Sequence, residues 1–552
     1  MKRLRITPSY SPFKYFPNPR ARNLSIKSLF SPRKPTVTAY GGKLSTSDLL
    51  FPYTHGRWLV NEKKELADRY VEFDVHELCR RAASIFGDSV RCMNIDKIEG
   101  DSYKVLVLTM DDGNEVVAKI PCWNAAPKYF TVEAEVATLD FVHSHTSIPV
   151  PKVLEWNSDP TNPVGVEYIL LERIPGVQLT TKWGTMKSLE KMAILERIVD
   201  MEVEISKLQF PAYGSLYFQD SISDSSLRIP VSTAAGDSSK YCVGPPCNRA
   251  WSHAAIPGAT SKSRGPWSSL EDFTVASVDR MGTSPELKDH SAEYKNIFES
   301  YSKLMQSIVH HPDVIASSRP VLWHNQLHDG HLLVSPDDPT NLHGFVGWNY
   351  STIAPMFLQS KFPTLLNMPD HYIPGVYFPE LPKNFDELGE EEKKQASRNV
   401  QRIMEHKSYE LNVLRKNREA YVALALKRNL YEPFQRCNRF SPSELPSLRD
   451  RLIQVSKDWS DLNMPTGCPY TIDYDLEKHK ADMEHEKKVE NLREYVADQL
   501  GVTEDGWVFP YKWEEARKLN EQWMGEFIDM MVNTEGKTRE EARDAWPFVD
   551  RP

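Results

Sequence analysis

A chain of 552 residues with 40% hydrophobic, 26% charged and 11% aromatic residues has the material for a large core, which excludes a disordered, collagen-like or repeat protein. No apolar run approaches the roughly 18 residues a membrane-spanning helix needs, and the seven cysteines are scattered without a Cys-x-x-Cys pair, as in a non-disulfide compartment. The net charge of −9 is divided unevenly: residues 1–47 hold ten Lys or Arg and no acid, so the chain from Asp48 onward carries −19. That acidic remainder lacks the clustered cations of a nucleic-acid footprint, so no nucleic-acid partner is expected.

Residues 1–47 are Arg- and Ser-rich, with Leu4, Ile6, Leu24, Ile26, Leu29 and Phe30 between the cations. This is the pattern of a mitochondrial presequence, while Pro8, Pro12, Pro17, Pro19, Pro32 and Pro35 leave a disordered basic tail as the alternative. Two helices are predicted over 62–87, then a hairpin of Tyr103–Met110 and Asn114–Ile120 around Asp111-Asp112-Gly113. Residues 131–145 place Val132, Val136, Leu139 and Val142 on one helix face, and 165–173 read as a buried strand ended by Pro175-Gly176. A helix over 185–208 precedes a Ser/Gly/Pro/Cys-rich stretch, 213–267, read as an irregular surface insertion in which Cys242 and Cys247 are the closest thiol pair. Helical spacing returns at 292–310, Val321–Trp348 reads as a loop and small hairpin, 384–460 as long amphipathic helix, and 473–552 as a charge-laced helical extension anchored by Trp507, Trp513, Trp523 and Trp546.

The segment Leu322-Trp323-His324-Asn325-Gln326-Leu327-His328-Asp329-Gly330-His331, followed by Val346-Gly347-Trp348, resembles the catalytic region of the aminoglycoside phosphotransferase family, whose pattern is His-x-Asp-Leu-His-x-x-Asn and then Ile-Asp-Trp. Val116-Val117-Ala118-Lys119-Ile120 resembles the strand bearing the phosphate-anchoring lysine, Glu135 its ion-pair partner, and Ile169–Gly176 the hinge between lobes, which adds Glu172 and Ile174 to the candidate nucleotide cleft. Gly56-Arg57-Trp58-Leu59, Arg264-Gly265-Pro266-Trp267 and Trp546-Pro547-Phe548 are similar to the fungal altered inheritance of mitochondria protein 9 branch. The resemblance implies an α+β, protein-kinase-like fold of two lobes: a small antiparallel-sheet N-lobe over 48–173, with its preceding helices, and a mainly helical C-lobe over 174–472. The extension 473–552 is the surface on which a protein partner is expected.

Phosphoryl transfer of this kind needs a carboxylate at the acceptor hydroxyl and an Asn and an Asp on magnesium. Gln326 stands at the base position, and His331 and Gly347 stand at the two metal-ligand positions. All three depart from the family's pattern: a carboxamide is no carboxylate base and Gly has no side-chain ligand. Glu99-Gly100-Asp101-Ser102-Tyr103 offers a single glycine where the phosphate loop would be. Lys119 and Glu135 leave two readings open, a cleft that binds ATP without turning it over and a structural ion pair. The expectation is a mitochondrial pseudophosphotransferase with a binding or regulatory role. Its alternatives are an active ATP-dependent enzyme using Asp329 as a displaced base, and a structural protein with an empty cleft. His324, His328, Asp329 and His331 are also candidate transition-metal ligands.

Overall fold

The computed structural model describes residues 36–40, 43–44, 49–100, 102–125, 130–232, 240–248, 251, 261–282, 292–324, 327–366, 369, 372–439, 445–464, 466–471 and 475–550. Residues 1–35 of the expected presequence or tail, and Gln326, lie outside the described residues.

The fold is α+β and two-lobed. The first lobe contains, in chain order, β1 (Thr36–Tyr40), β2 (Lys43–Leu44), β3 (Arg57–Trp58), α1 (Glu62–Asp68), α2 (Val75–Ser84), β4 (Cys92–Glu99), β5 (Tyr103–Met110), β6 (Glu115–Pro121), α3 (Phe130–His145), β7 (Val153–Asn157) and β8 (Tyr168–Glu172). Seven of these strands form an antiparallel sheet in the order β2-β1-β4-β5-β6-β8-β7. Thr36–Tyr40, expected to belong to the tail, is instead a strand paired with β4, as its β-branched Thr-Val-Thr run favours. Gly113 makes the β5–β6 turn at φ +87°, a conformation that glycine adopts without a Cβ clash.

Strand alternation sorts the sheet's side chains into two cores. Leu106, Leu108, Val116, Ala118 and Ile120 pack with Leu78 and Ala82 of α2. Val117, Ile169 and Leu171 pack on the other side with Val132, Val136 and Leu139 of α3. Lys119 has the parity of Val117, so β6 carries it to the face that looks toward α3 and the second lobe.

The second lobe opens with β9 (Val177–Gln178), α4 (Thr180–Trp183) and α5 (Ser188–Lys207). Among the described residues of the Ser/Gly/Pro/Cys-rich stretch, expected to be irregular, β10 (Ser215–Phe218), β11 (Ile229–Pro230) and β12 (Tyr241–Gly244) form a sheet in the order β10-β12-β11. Its Tyr217, Cys242 and Cys247 are buried against Ala134 of α3. Gly214 exchanges backbone hydrogen bonds of 2.9 and 2.7 Å with Ile353, so this sheet fastens α3 to the chain that follows Gly347. Any Cβ at Gly214 would lie 2.1 Å from the Gly244 carbonyl oxygen, which is why glycine stands there. Cys242 and Cys247 are both free thiols.

After α6 (Ser261–Arg264), α7 (Leu270–Gly282), α8 (Ala292–Ile308) and α9 (Pro312–Ala316) come the strands of the loop region. These are β13 (Pro320–Trp323), β14 (Leu332–Val334), β15 (Leu342–Phe345) and β16 (Thr352–Pro355), followed by α10 (Met356–Gln359). The single long helix expected over 384–460 is divided into α11 (Glu390–Lys416), α12 (Arg418–Leu424), α13 (Arg428–Arg439) and α14 (Leu445–Lys457). Asn417 makes the first break, its Oδ1 accepting the Ala420 N–H at 3.0 Å as a helix cap.

The C-terminal extension holds α15 (Leu476–Leu500), β17 (Trp507–Val508), α16 (Trp513–Glu535) and α17 (Arg539–Asp544). β17 pairs with β3, and Phe527, Met531, Trp546 and Phe548 form a core with Leu59 and Val60. At its other end, Arg449 of α14 meets Asp482 of α15 at 3.0 Å. The extension therefore uses its apolar face within the chain, and much of α15 presents charge to solvent.

Candidate active site

Lys119 and Glu135 meet at the centre of the interlobe cleft, Nζ to Oε1 at 2.5 Å, both side chains nearly sealed from solvent. Burial pushes the lysine pKa down and the glutamate partly restores it. The ammonium also donates to Asn349 Oδ1 at 3.2 Å and lies 3.9 Å from the centre of the Tyr103 ring. Glu135 Oε2 is buried with no hydrogen-bond partner among the described residues. An acceptor left in that state disfavours the approach of a further anion.

On the opposite wall, His324 is stacked on Phe345 at 4.4 Å between ring centres and set edge-on to Trp348 at 5.0 Å. Its Nε2 is 3.0 Å from the Val346 carbonyl oxygen. Burial drives its pKa down to about 3, so the ring is neutral and braces the strand leading to Gly347. Trp348, Trp251 and Trp183 are all buried in the core rather than lining an open pocket.

The two metal-ligand positions come together with a definite outcome. Gly347 has φ +85°, and a Cβ built on it would lie 2.3 Å from His331 Cδ2 and 2.4 Å from its Nε2. The imidazole thus fills the room that a carboxylate at 347 would need. His331 also lies against His328, ring centres 3.8 Å apart, while His328 Nδ1 accepts the Gly330 N–H at 3.0 Å. Among the described residues no group of three or more His, Cys, Asp or Glu side chains is placed to hold a metal ion. The magnesium ions that the family pattern implies do not fit the residues around Gly347, because the ring that fills the side-chain space there offers no carboxylate oxygen.

Other candidates stand apart from this centre. Asp338 Oδ1 accepts from the Thr340 N–H at 3.0 Å and its hydroxyl at 2.7 Å, so it closes a turn, and Ser335 Oγ accepts the Asp337 N–H in the same turn. Asp329 begins the short 3₁₀ turn Asp329–His331. At the hinge, Glu172 is exposed and its carboxylate accepts weakly from the Lys152 N–H at 3.4 Å, while Ile174 packs where a Cβ at Gly344 would lie 2.7 Å away. Sequence reasoning missed Tyr103, Asn349 and Tyr350. The one available signal was an aromatic residue directly after the thin Gly100 loop, where phosphate contact calls for small residues.

Two measurements check this geometry. Gly347→Asp should destabilise the protein by about 1–3 kcal/mol through its positive φ and the His331 ring, and adding His331→Asn should recover part of that loss in a denaturation double-mutant cycle. His324 should make stability pH-dependent: the unfolded imidazole takes up a proton near its ordinary pKa of 6.5, while the folded one stays neutral down to about 3. Stability contributed by this group is therefore complete above that ordinary value and falls by about 1.4 kcal/mol per pH unit below it. His324→Phe should flatten the decline in melting temperature between pH 7 and pH 5.

The profile of the phosphotransferase enzyme family matches residues 100–358. Over 522 residues the chain is 25% identical to the subtelomeric hrmA-associated cluster protein of Aspergillus fumigatus, covering 83% of this chain and 97% of that one. It is 23% identical over 491 residues to the altered inheritance of mitochondria protein 9, mitochondrial, of Yarrowia lipolytica, covering 81% and 82%. Among solved structures, a thermostable mutant of aminoglycoside phosphotransferase APH(4)-Ia in ternary complex with ADP and hygromycin B matches with a TM-score of 0.32 and 13% identity, covering 69% of this chain and 97% of that one. The segment matched by the phosphotransferase enzyme family carries β5, β6, α3, the hinge and both loops of the cleft.

Proposed function

We propose that this is a mitochondrial protein of the phosphotransferase family that has lost the usual catalytic route and keeps its cleft for nucleotide binding or regulation. The observation that carries the reading is the packing of His331 into the side-chain space of Gly347. With Gln326 at the base position, general-base help worth roughly 10²–10⁴ in rate is also forfeited. The intact Lys119–Glu135 pair is the feature that supports continued nucleotide use. Mitochondrial residence is supported by the names of the yeast relatives and by the acid-free, basic residues 1–47. Since β1 begins at Thr36 and belongs to the sheet, a presequence would be removed ahead of that residue. A protein partner on the C-terminal extension would meet the charged outward face of α15, because the apolar face is already covered.

The test is a thermal-shift titration of the full chain with ATP, with and without magnesium, beside an assay for ATP hydrolysis. Binding to the folded state raises stability by RT ln(1 + [L]/Kd). The expected outcome is a modest rise in melting temperature at millimolar ATP that magnesium leaves unchanged, no hydrolysis above background, and no rise in Lys119→Ala. Magnesium-dependent turnover lost in Lys119→Ala would establish the active enzyme instead. No shift under any condition would leave the structural protein with an empty cleft.

A further inference from the structure

An ammonium has three N–H donors, and all three directions at Lys119 are spoken for: Glu135 Oε1 at 2.5 Å, Asn349 Oδ1 at 3.2 Å and the face of Tyr103 at 3.9 Å. A phosphate oxygen has no free donor to meet. Tyr103 shares strand parity with Val105, which lies directly opposite Lys119 in the β5–β6 register, so the sheet itself aims the ring at the lysine. The ring is 5% exposed. The half-buried Tyr350 lies against it, ring centres 6.0 Å apart and the planes tilted by 51°.

Tyr350 is held in an unfavourable conformation. Its φ is +58°, which a bulky residue adopts only where its neighbours impose it. Those neighbours are fixed on both sides. Trp348 is fully buried and its Nε1 donates to the Phe345 carbonyl at 3.0 Å. On the other side, the Ser351 hydroxyl donates to the Trp348 carbonyl at 2.7 Å, and Ser215 of β10 donates to the Ser351 carbonyl at 3.1 Å. The β10–β12 sheet therefore holds the cover in place.

We infer that Tyr103 and Tyr350 form an internal plug over Lys119, so that the phosphate chain of a nucleotide gains the lysine only when this aromatic pair is displaced. The inference rests on the nucleotide reading of the cleft and adds its regulation. A site that is competent in only a fraction of molecules has its apparent affinity reduced by that fraction, so anything that loosens the β10–β12 sheet raises nucleotide affinity without touching Lys119.

The test uses the full chain and two readouts. The first is the rate at which the Lys119 amine is acetylated by a small water-soluble N-hydroxysuccinimide ester, followed by peptide mass spectrometry. The second is ATP affinity, with protection of Lys119 by ATP. Tyr350→Gly relieves the positive φ and removes the cover, so it should fold well. Tyr103→Ala removes the ring over the amine, and Tyr103→Phe keeps that ring. Roughly tenfold faster acetylation is expected in Tyr350→Gly and Tyr103→Ala than in the natural chain or Tyr103→Phe, with roughly tenfold tighter ATP binding in the same two variants. Equal acetylation in the natural chain and Tyr350→Gly would overturn the plug, whatever the ATP result. Faster acetylation that ATP does not slow would keep the plug and overturn the nucleotide reading.

Discussion

Everything in the cleft depends on a lysine ammonium held out of water. Removing such a charge from solvent is costly unless a carboxylate and further hydrogen-bond partners receive it. Lys119 has Glu135, Asn349 and an aromatic face, supplied by three separate parts of the chain. Each must arrive in register for the charge to be tolerated: β6 by strand parity, α3 by packing of Val132, Val136 and Leu139, and the loop after Gly347 through its bonds to β10. Losing one member of a buried pair typically costs 3–5 kcal/mol; Lys119 and Glu135 both stand on the first lobe, and the contact of Lys119 with Asn349 at 3.2 Å reaches the second.

On the proposed reading, the same arrangement separates this cleft from a working phosphotransferase. An enzyme of that kind keeps its lysine available to phosphate and places carboxylates around a metal. Here the lysine's donors are met internally, and imidazole occupies the space at Gly347. The substitutions are mutually consistent. Gly347 admits the His331 ring, His324 sits edge-on to that ring at 5.2 Å between centres, and its own neutrality keeps charge out of the wall. A scaffold in which each change accommodates the next differs from one that has merely lost single residues.

Much of the site could be read from the sequence because it rests on short-range periodicity. The Asp-Asp-Gly turn and the Val-Leu alternation of β5 fix the hairpin, and that parity alone sends Lys119 inward. The order of Lys119, Glu135, His324, His331 and Gly347 along the chain was enough to identify the family pattern. What was hidden depended on partners far away in sequence. Four-residue strands among Ser, Gly and Pro gave no run long enough to recognise, because β10 and β12 owe their burial to α3 rather than to their own pattern. Thr36–Tyr40 was masked by the basic composition around it, although its Thr-Val-Thr run was a strand signal. The first break in the helical stretch 384–460 hung on one cap at Asn417. No local feature at Tyr103 or Tyr350 says that their rings meet.

The central claim is that no divalent ion can be held where Gly347 and His331 stand. It is tested most directly by electron paramagnetic resonance of Mn²⁺ titrated with the full chain in the absence of nucleotide, since manganese substitutes for magnesium and its signal changes when protein ligands immobilise it. The result expected is a spectrum of aqueous manganese that added protein leaves unchanged. A protein-bound manganese signal that saturates with the chain and disappears in His331→Ala would contradict it.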